Sequence, residues 1–523
     1  MVLLLLGGIF LAYLLTKSRL PERAPSLFLF SVSFGAASLF WKEPELIVDA
    51  SRYFTQAKHL SVYGAGYFLR EWGNALPAWT DLPLIPFLYG LLFSVFGEER
   101  TVIQIFTTTL FSLTVVLTYL TGRELWDEET GLYAGVCLLG VPYLFTQAPL
   151  MMADIPSAFF LLLSLFTFLK GMQSGGKWVP LAALAAFLAF FSKYSLWVML
   201  SVLGIAGAVF LYQGRATGEA GKRLRRLLSF LLLFVLLAGG AVLLKAGVVA
   251  EQLRLLSLYQ KPGLRRWGES YLSTFFFQVH PFVTLAAGVS ILAALRKKDP
   301  AYCIVFWPVA LLFLFQIRRV RYDLPAFPML ALMASYGLRE VRDRMTRKFT
   351  ALCIMTGSLV VALFAYLPFL QSVSEINLKR AGEFLDTIPG RECAVFVLPY
   401  EDPVLNPAIS APLLDLFTRK DIRFAPLPGP QPPPEVRAVS PFRFTWEYRN
   451  PPYYENQGRD PVAKPSSPPV PVAIISDRPI EKLPGFIRER VKGLPGMRAF
   501  TVSDDIFLHQ TVVTIYYRLP HRE

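Results

Sequence analysis

The residues best suited to chemistry stand together shortly after the second apolar run of the chain. The stretch Asp49-Ala50-Ser51-Arg52-Tyr53 supplies a carboxylate, a cation and a phenol. On a helix, residues three and four apart share a face, as Asp49, Arg52 and Tyr53 would. A carboxylate can accept a proton from an attacking hydroxyl, and a cation can stabilise a departing phosphate. Arg and Tyr also anchor helices at lipid headgroups, and the spacing alone favours this anchoring role over a catalytic one.

Two further charged residues border apolar runs in the middle of the chain. Lys193 lies between two such runs, where it either snorkels to the membrane surface or binds phosphate. Asp154 begins an apolar run beside Pro156, where it either caps a helix or supports a site. The residues themselves leave both choices open.

A basic and aromatic cluster follows a later apolar run. It consists of Arg318, Arg319 and Arg321, with Tyr322 beside them. The topology derived below puts this cluster at a non-cytoplasmic span boundary, against the positive-inside rule. Such an exception indicates an anionic partner, either a lipid headgroup or the phosphate of a substrate.

Membrane helices must position these residues. Of the 523 residues, 54% are hydrophobic and 17% charged, and the mean hydropathy is +0.44. A soluble chain of this length could not bury so much apolar surface, whereas a bilayer accommodates it as helices of about 20 apolar residues. The net charge of +14 falls largely in short loops between apolar runs, which excludes nucleic acid as the expected partner.

The apolar runs predict a polytopic α-helical protein with about twelve transmembrane helices. The most basic short loops, 16–23, 213–226, 296–299 and 339–348, are expected in the cytoplasm. The predicted spans are about 2–16, 25–41, 101–121, 131–147, 154–170, 179–192, 196–212, 228–246, 273–295, 301–317, 323–338 and 349–371. This arrangement puts the long loop 42–100 and everything after residue 371 outside the cell membrane. A proline-punctuated apolar stretch inside that loop, Leu82–Phe96, predicts a helix at the interface.

The C-terminal region changes character, because apolar runs shrink to strand length while charge and proline rise. The pattern predicts a small extracytoplasmic α/β domain at 374–523, after a membrane domain at 1–373 that includes the loop 42–100. Expected strands are Ala394–Leu398, Val470–Ser476 and Thr511–Tyr517, and expected helices are Ile376–Leu385 and Pro412–Phe417.

An ordered series of motifs resembles a known family. The series is Asp49–Tyr53, Thr80-Asp81-Leu82-Pro83-Leu84, Met152–Pro156, Ser192-Lys193 and Arg321-Tyr322-Asp323-Leu324-Pro325. It is similar to the C-type membrane glycosyltransferases of family 39 and their relatives, which include protein mannosyltransferases and the bacterial aminoarabinose transferase of lipid A. The resemblance covers roughly Trp41 to Gly337.

The resemblance implies transfer of a sugar from a polyprenyl-phosphate donor to a hydroxyl acceptor on a lipid, protein or glycan. Asp49 matches the catalytic acid of the first external loop. Two departures from the family pattern matter: Ala50 stands where many relatives have a second acid, and Asp81 stands where relatives often have Lys or His. Glu43 and Glu45 either contribute a second acid or are solvated loop residues.

The predicted site therefore contains Asp49 as the catalytic residue and a set of substrate-binding residues. That set is Arg52, Tyr53, Asp81, Asp154, Lys193, Arg318, Arg319, Arg321 and Tyr322. No metal-ligand or nucleotide-binding motif occurs in the sequence, so no metal site or cofactor is predicted, although a divalent cation is left open. The main rival is a multi-pass transporter or lipid flippase, but the polar candidates gather at one face and no half-repeat is visible.

Overall fold

A computed structural model describes residues 1–78, 80–260, 269–398, 407–424, 470–504 and 511–518. The chain forms two compact units. We call Met1–Trp41, Thr80–Ile85 and Gln104–Leu367 the helical unit, and Lys42–Trp79, Pro86–Ile103 and Pro368–Glu523 the sheet unit. The sequence-based division kept the loop 42–100 with the membrane helices, whereas the structure groups most of that loop with the C-terminal residues.

The described helical unit consists of helices joined by short breaks, and three of them, Leu39–Lys42, Arg100–Leu125 and Leu367–Leu370, share residues with the sheet unit. Apolar side chains cover many of their surfaces: in Ala220–Leu244, Leu232 is 61% exposed and Leu243 is 77% exposed, which suits contact with lipid. The bounds are Val2–Lys17, Leu20–Arg23, Pro25–Ser38, Leu39–Lys42, Arg100–Leu125, Glu128–Leu138, Pro142–Gln147, Asp154–Ser174, Trp178–Phe190, Ser195–Met199, Ser201–Thr217, Ala220–Leu244, Ala246–Leu255, Leu256–Gln260, Tyr271–Ser273, Thr274–Gln278, Pro281–Lys297, Tyr302–Leu314, Val320–Asp323, Leu324–Ala326, Phe327–Leu338, Arg344–Val361, Ala362–Tyr366 and Leu367–Leu370.

Several of these helices are long and apolar enough to cross a membrane. In the described part of the chain they are Arg100–Leu125, Asp154–Ser174, Ser195–Thr217, Ala220–Leu244 and Arg344–Leu370, and a bent pair raises the count from five to six. Other apolar helices are shorter: Trp178–Phe190, for example, has 13 residues and spans only about 20 Å, less than the roughly 30 Å of hydrocarbon. The protein is an integral membrane protein, but the predicted count of twelve spans is not confirmed.

The predicted span at about 273–295 consists of two helices that bend sharply where they meet. Tyr271–Gln278 and Pro281–Lys297 meet at an angle of 111°. Pro281 disfavours helical backbone at the preceding residue, and His280 is extended with φ −65° and ψ 132°. The His280 Nδ1 atom accepts a hydrogen bond from the Phe282 N–H at 3.2 Å. The first helix therefore ends at Gln278, and His280 caps the second.

Small residues let the helix backbones approach closely. Pro281–Lys297 packs against Phe327–Leu338, and a Cβ atom on Gly337 would lie 2.0 Å from the Ala286 carbonyl oxygen. Because only glycine fits at this crossing, the two helices are held at one distance and register.

Five strands form one sheet in the described C-terminal residues. They are β1 Glu392–Leu398, β2 Asp421–Phe424, β3 Val472–Ser476, β4 Gly496–Phe500 and β5 Val512–Tyr517. Their order is β2-β1-β3-β5-β4; β1 is parallel to β2 and β3, and β5 is antiparallel to β3 and β4. The three predicted strands are present as β1, β3 and β5, which confirms a small C-terminal sheet. The edge strands β2 and β4 were missed because their residues are largely polar or small.

Helices from both ends of the chain complete the sheet unit. They are Asp49–Tyr63, Ala65–Glu71, Leu84–Phe96, Ile376–Leu385, Pro407–Leu416 and Gly485–Val491. Asp49–Tyr63 packs against Pro407–Leu416 and contacts Leu84–Phe96 at Gly90, where a Cβ atom would lie 2.6 Å from Leu60 Cβ. The predicted helix near 82–96 is present, and its position at the membrane interface stays a prediction.

Candidate functional site

Asp154 is the centre of a buried charged cluster in the helical unit. Its Oδ1 atom lies 2.5 Å from Lys193 Nζ, and its Oδ2 atom lies 2.9 Å from Arg321 Nε. The Asp154 side chain is 1% exposed. Ala153 occupies the cap position of the helix Asp154–Ser174, and no side-chain cap bond is formed there. The interpretation of Asp154 as a helix cap is therefore wrong, and its carboxylate is a shared partner of two cations.

The two cations lie in short segments between longer helices. Lys193 lies in the turn between Trp178–Phe190 and Ser195–Met199, and Arg321 lies in the four-residue helix Val320–Asp323. The Val320 N–H that starts this short helix donates to Glu269 Oε2 at 2.8 Å. Lys193 thus pairs within the protein, and neither alternative considered from the sequence described this contact.

Two of the basic residues, Lys193 and Arg319, lie close to the aromatic ring of Tyr322. Lys193 Nζ lies 5.1 Å and the Arg319 guanidinium 5.3 Å from the ring centroid, both within the range of a cation–π interaction. Arg318 lies 5.9 Å from the ring of Tyr271 instead. The structure therefore brings together most of the predicted residues of the helical unit around Asp154 and Tyr322.

Two cations of this cluster share one carboxylate, an arrangement that suits an anion. The Asp154 carboxylate lies between Lys193 and Arg321. The Lys193 side chain is 14% exposed and that of Arg321 is 6% exposed. Since a lysine has three donors and an arginine five, each can hold Asp154 and a second acceptor at once.

Asp323 is a buried carboxylate that sequence reasoning did not select. It is 0% exposed, and within the described residues neither of its oxygens has a hydrogen-bond partner. Its position two residues after Arg321, in the motif ending Leu324-Pro325, was the available signal. Among the described residues, no group of three His, Cys, Asp or Glu side chains is placed to hold a metal ion.

Asp81 belongs to a hydrogen-bonded bridge near Lys193. The Gln252 amide donates to the Asp81 carbonyl oxygen at 2.8 Å and accepts a bond from the Tyr194 hydroxyl. Gln252 is 2% exposed. The bridge joins the segment of Asp81 to the residue that follows Lys193. Sequence reasoning missed Gln252 because a single polar residue within an amphipathic helix has no distinctive spacing.

Asp49 lies in the sheet unit, at the first turn of Asp49–Tyr63. Its Oδ1 atom lies 3.1 Å from Arg52 Nη2, which confirms the predicted shared face. The side chains of Asp49 and Arg52 are 21% and 14% exposed, while Tyr53 is buried. A partly exposed carboxylate beside a guanidinium can meet a hydroxyl substrate, and its catalytic role stays a prediction.

Glu43 and Glu45 are not solvated loop acids. Glu45 is 2% exposed and its Oε1 atom lies 2.9 Å from Arg100 Nε. Glu43 is 0% exposed, and in the described part of the chain neither carboxylate oxygen has a hydrogen-bond partner. Burial raises the pKa of Glu43 well above its usual value, although Arg100 opposes the shift.

A second buried charged cluster lies further along the helix Asp49–Tyr63, at Lys58. Lys58 Nζ lies 2.6 Å from Asp415 Oδ2 and 3.0 Å from Glu98 Oε2. The Lys58 and Asp415 side chains are 8% and 3% exposed. Here one cation faces two carboxylates. Nothing in the local spacing indicated it, because Lys58 and Asp415 are 357 residues apart.

Two comparisons relate the chain to known proteins. Residues 79–243 match the family model of dolichyl-phosphate-mannose-protein mannosyltransferase, which covers less than half of the chain. A search of curated proteins gives no match. The matched segment includes the motifs around Asp81, Asp154 and Lys193.

The fold is similar to that of ArnT from Cupriavidus metallidurans. The TM-score is 0.53 for the structure bound to undecaprenyl phosphate and 0.54 for the apo state, at 13% sequence identity. Each match covers 94% of this chain and 98% of that chain. The apo oligosaccharyltransferase of Archaeoglobus fulgidus gives a TM-score of 0.48 at 12% identity over 88% of this chain and 70% of that chain, too low to add to the argument.

The fold and the matched segment define the class. The chain is an integral membrane protein with the fold of a C-type glycosyltransferase. The resemblance to protein mannosyltransferases and to ArnT that the motifs predicted is confirmed.

Proposed function

We propose that the protein is a glycosyltransferase that moves a sugar from a polyprenyl-phosphate donor to an acceptor hydroxyl at the extracytoplasmic face of the cell membrane. The observation that carries the proposal is the buried cluster in a helical membrane unit in which two cations, Lys193 and Arg321, share the carboxylate of Asp154. The match to the mannosyltransferase family over residues 79–243 and the fold of ArnT support it.

The cluster is suited to the phosphate of the donor. When the bond between the anomeric carbon and the donor oxygen breaks, the lipid phosphate leaves with the bonding electrons and gains negative charge. Lys193 and Arg321 stabilise that charge, so the leaving group needs no proton. The ArnT structure bound to undecaprenyl phosphate supports a lipid-phosphate ligand for this fold.

The proposal assigns the acceptor step to Asp49, the acid that the family resemblance selects. Its carboxylate accepts the proton of the acceptor hydroxyl as that oxygen attacks the anomeric carbon. Arg52, at 3.1 Å, keeps the carboxylate in one orientation. The proposal includes hexosyl and pentosyl donors and lipid, protein or glycan acceptors.

The first experiment measures sugar transfer from polyprenyl-phosphate sugars by the detergent-purified protein. Asp49→Asn preserves size and one acceptor oxygen but cannot take a proton. We expect transfer to fall about 10²-fold, the scale of a lost general base. Glu71→Gln is the matched control, because Glu71 belongs to the same loop and its Oε1 atom lies 2.8 Å from the Nε atom of the exposed Arg70.

The outcomes separate the enzyme from its rival. Wild-type transfer by Asp49→Asn, with normal insertion, would show that the acid is assigned to the wrong residue. Absence of transfer by the unmodified protein with every donor tested, together with movement of lipid across vesicles, would favour a transporter or flippase.

The second experiment tests the orientation. Accessibility tags in 213–226 and 339–348 should label from the cytoplasm, and a tag near Thr80 from outside, because the opposite orientation would leave the basic loops outside. The opposite labelling pattern would remove the proposed extracytoplasmic site.

A further inference from the structure

We infer that Lys58 is a positioning residue, through which the C-terminal part of the sheet unit fixes the helix that carries Asp49. The inference rests on the proposed function and assigns a role to the C-terminal sheet and its helices. Lys58 and Asp49 lie on the same helix, Asp49–Tyr63, nine residues or about 13 Å apart along its axis.

Lys58 makes a buried ion pair across a long sequence separation. Its Nζ atom lies 2.6 Å from Asp415 Oδ2, in the helix Pro407–Leu416 that packs on Asp49–Tyr63. Glu98 binds the same ammonium at 3.0 Å. Because a buried charge without its partner is costly, the helix is held where Lys58 meets both carboxylates.

Two more contacts tie the start of the loop to the C-terminal residues. Arg100 pairs with Glu45 at 2.9 Å, and its guanidinium lies 5.1 Å from the ring of Phe417. Lys379 donates to the Lys42 carbonyl oxygen at 2.6 Å. The chain is therefore fixed before the helix Asp49–Tyr63 begins as well as at Lys58.

Close packing prevents the helix from sliding. A Cβ atom on Gly90 would lie 2.6 Å from Leu60 Cβ and 2.9 Å from the Ala57 carbonyl oxygen. The ring of Phe93 packs 5.8 Å from that of Phe54. Leu84–Phe96 thus covers the face of the helix around Lys58, and a shift at Lys58 must move the rigid helix and Asp49 with it.

Burial and pairing argue against direct substrate binding by Lys58. Its side chain is 8% exposed, and its ammonium is paired with Asp415 and Glu98. A buried ammonium already paired with two carboxylates gives an anionic donor little access. Lys58 therefore acts through Asp49 and is not itself catalytic.

The test combines hydrogen–deuterium exchange with kinetics on the full-length protein. Asp415→Asn removes the charge that holds Lys58 while keeping the side-chain size. We expect amides of residues 49–63 to exchange about tenfold faster. We also expect kcat to fall about tenfold, with the KM for donor within about twofold, since misplacement of a reacting group reduces the chemical step. Arg423→Gln is the control, because Arg423 pairs with Glu392 between two strands of the sheet.

A second variant distinguishes the loss of this ion pair from a general folding defect. The double variant Lys58→Met with Asp415→Leu replaces the buried pair by apolar side chains, which a protein interior often tolerates. We expect it to restore exchange protection and kcat to within about threefold of wild type.

Each outcome decides a separate point. Unchanged exchange of residues 49–63 in Asp415→Asn overturns the inference, whatever the activity. Faster exchange with unchanged kcat, while Asp49→Asn is inactive, also overturns it, because the ion pair would then be structural only. If Asp49→Asn is fully active, the proposed catalytic acid fails, and the exchange data still show whether Lys58 fixes the helix.

Discussion

Two buried charged clusters of this protein have opposite compositions. In the helical unit, the carboxylate of Asp154 lies between Lys193 and Arg321. In the sheet unit, the ammonium of Lys58 lies between Glu98 and Asp415. The first cluster has two cations around one carboxylate and the second has two carboxylates around one cation.

This difference suits the Asp154 cluster to ligand binding and the Lys58 cluster to holding two helices together. Two buried cations that share one carboxylate can bind an incoming anion such as phosphate. Two buried carboxylates that share one cation can take up a proton, because an acid can neutralise itself whereas an arginine stays charged at any ordinary pH. The same kind of ion pair therefore has different consequences in the two units.

The largest expected effect comes from removing the central acid of the first cluster. Asp154→Asn leaves two buried cations without their carboxylate, and Arg321 cannot lose its charge. We expect the free energy of unfolding to fall by about 3–5 kcal/mol, the cost of breaking a buried pair by removing one partner. Thermal unfolding in detergent would measure it. Stability equal to wild type would mean that water or ions already neutralise the cations.

Removing the central cation of the second cluster should cost less. Lys58→Met leaves Glu98 and Asp415 facing one another, but either can take up a proton. We expect a loss of about 1–3 kcal/mol at neutral pH, measured in the same way. A loss larger than that of Asp154→Asn would reverse the comparison.

A smaller effect is expected on donor binding. Lys193→Gln removes the more exposed cation beside Asp154 and should raise the KM for the polyprenyl-phosphate donor about tenfold, the scale of one charge-assisted hydrogen bond. Lys297→Gln is the matched control, because Lys297 forms an exposed pair with Glu340 at 2.5 Å. Equal KM values for the two variants would separate the cluster from the donor phosphate.

The smallest effect concerns pH. Burial raises the pKa of Glu98 above its usual value of 4.5, and Lys58 opposes the shift. The folded state therefore holds this proton more tightly than the unfolded state, so Glu98 favours folding as the pH falls toward 4.5 and opposes it as the pH rises. Loss of Lys58 raises the pKa of Glu98 further. The loss of unfolding free energy in Lys58→Met should therefore shrink between pH 7 and pH 5. The loss in Asp154→Asn should not shrink to the same extent, because Arg321 keeps its charge over this range.

Sequence reasoning selected the charged residues of the helical unit but not their contacts. Asp154 and Lys193 were selected because they stand in the motif series that resembles a glycosyltransferase family, and Arg321 was also selected because its basic cluster breaks the positive-inside rule. Their pairing was not predicted, since Lys193 and Arg321 lie 39 and 167 residues from Asp154. Asp323 and Gln252 were missed because buried polar residues are recognised only once their surroundings are known.

The sequence by itself determined the class of the protein and its local elements. Long apolar runs require a bilayer, and alternating or continuous apolar patterns set β1, β3 and β5, because these features depend only on neighbouring residues. Tertiary structure alone decided the bend at His280, the grouping of the loop 42–100 with the C-terminal sheet, and the meeting of Lys58 with Asp415. These depend on which surfaces pack together, and the energy of a long-range pair has no periodicity that a single sequence can show.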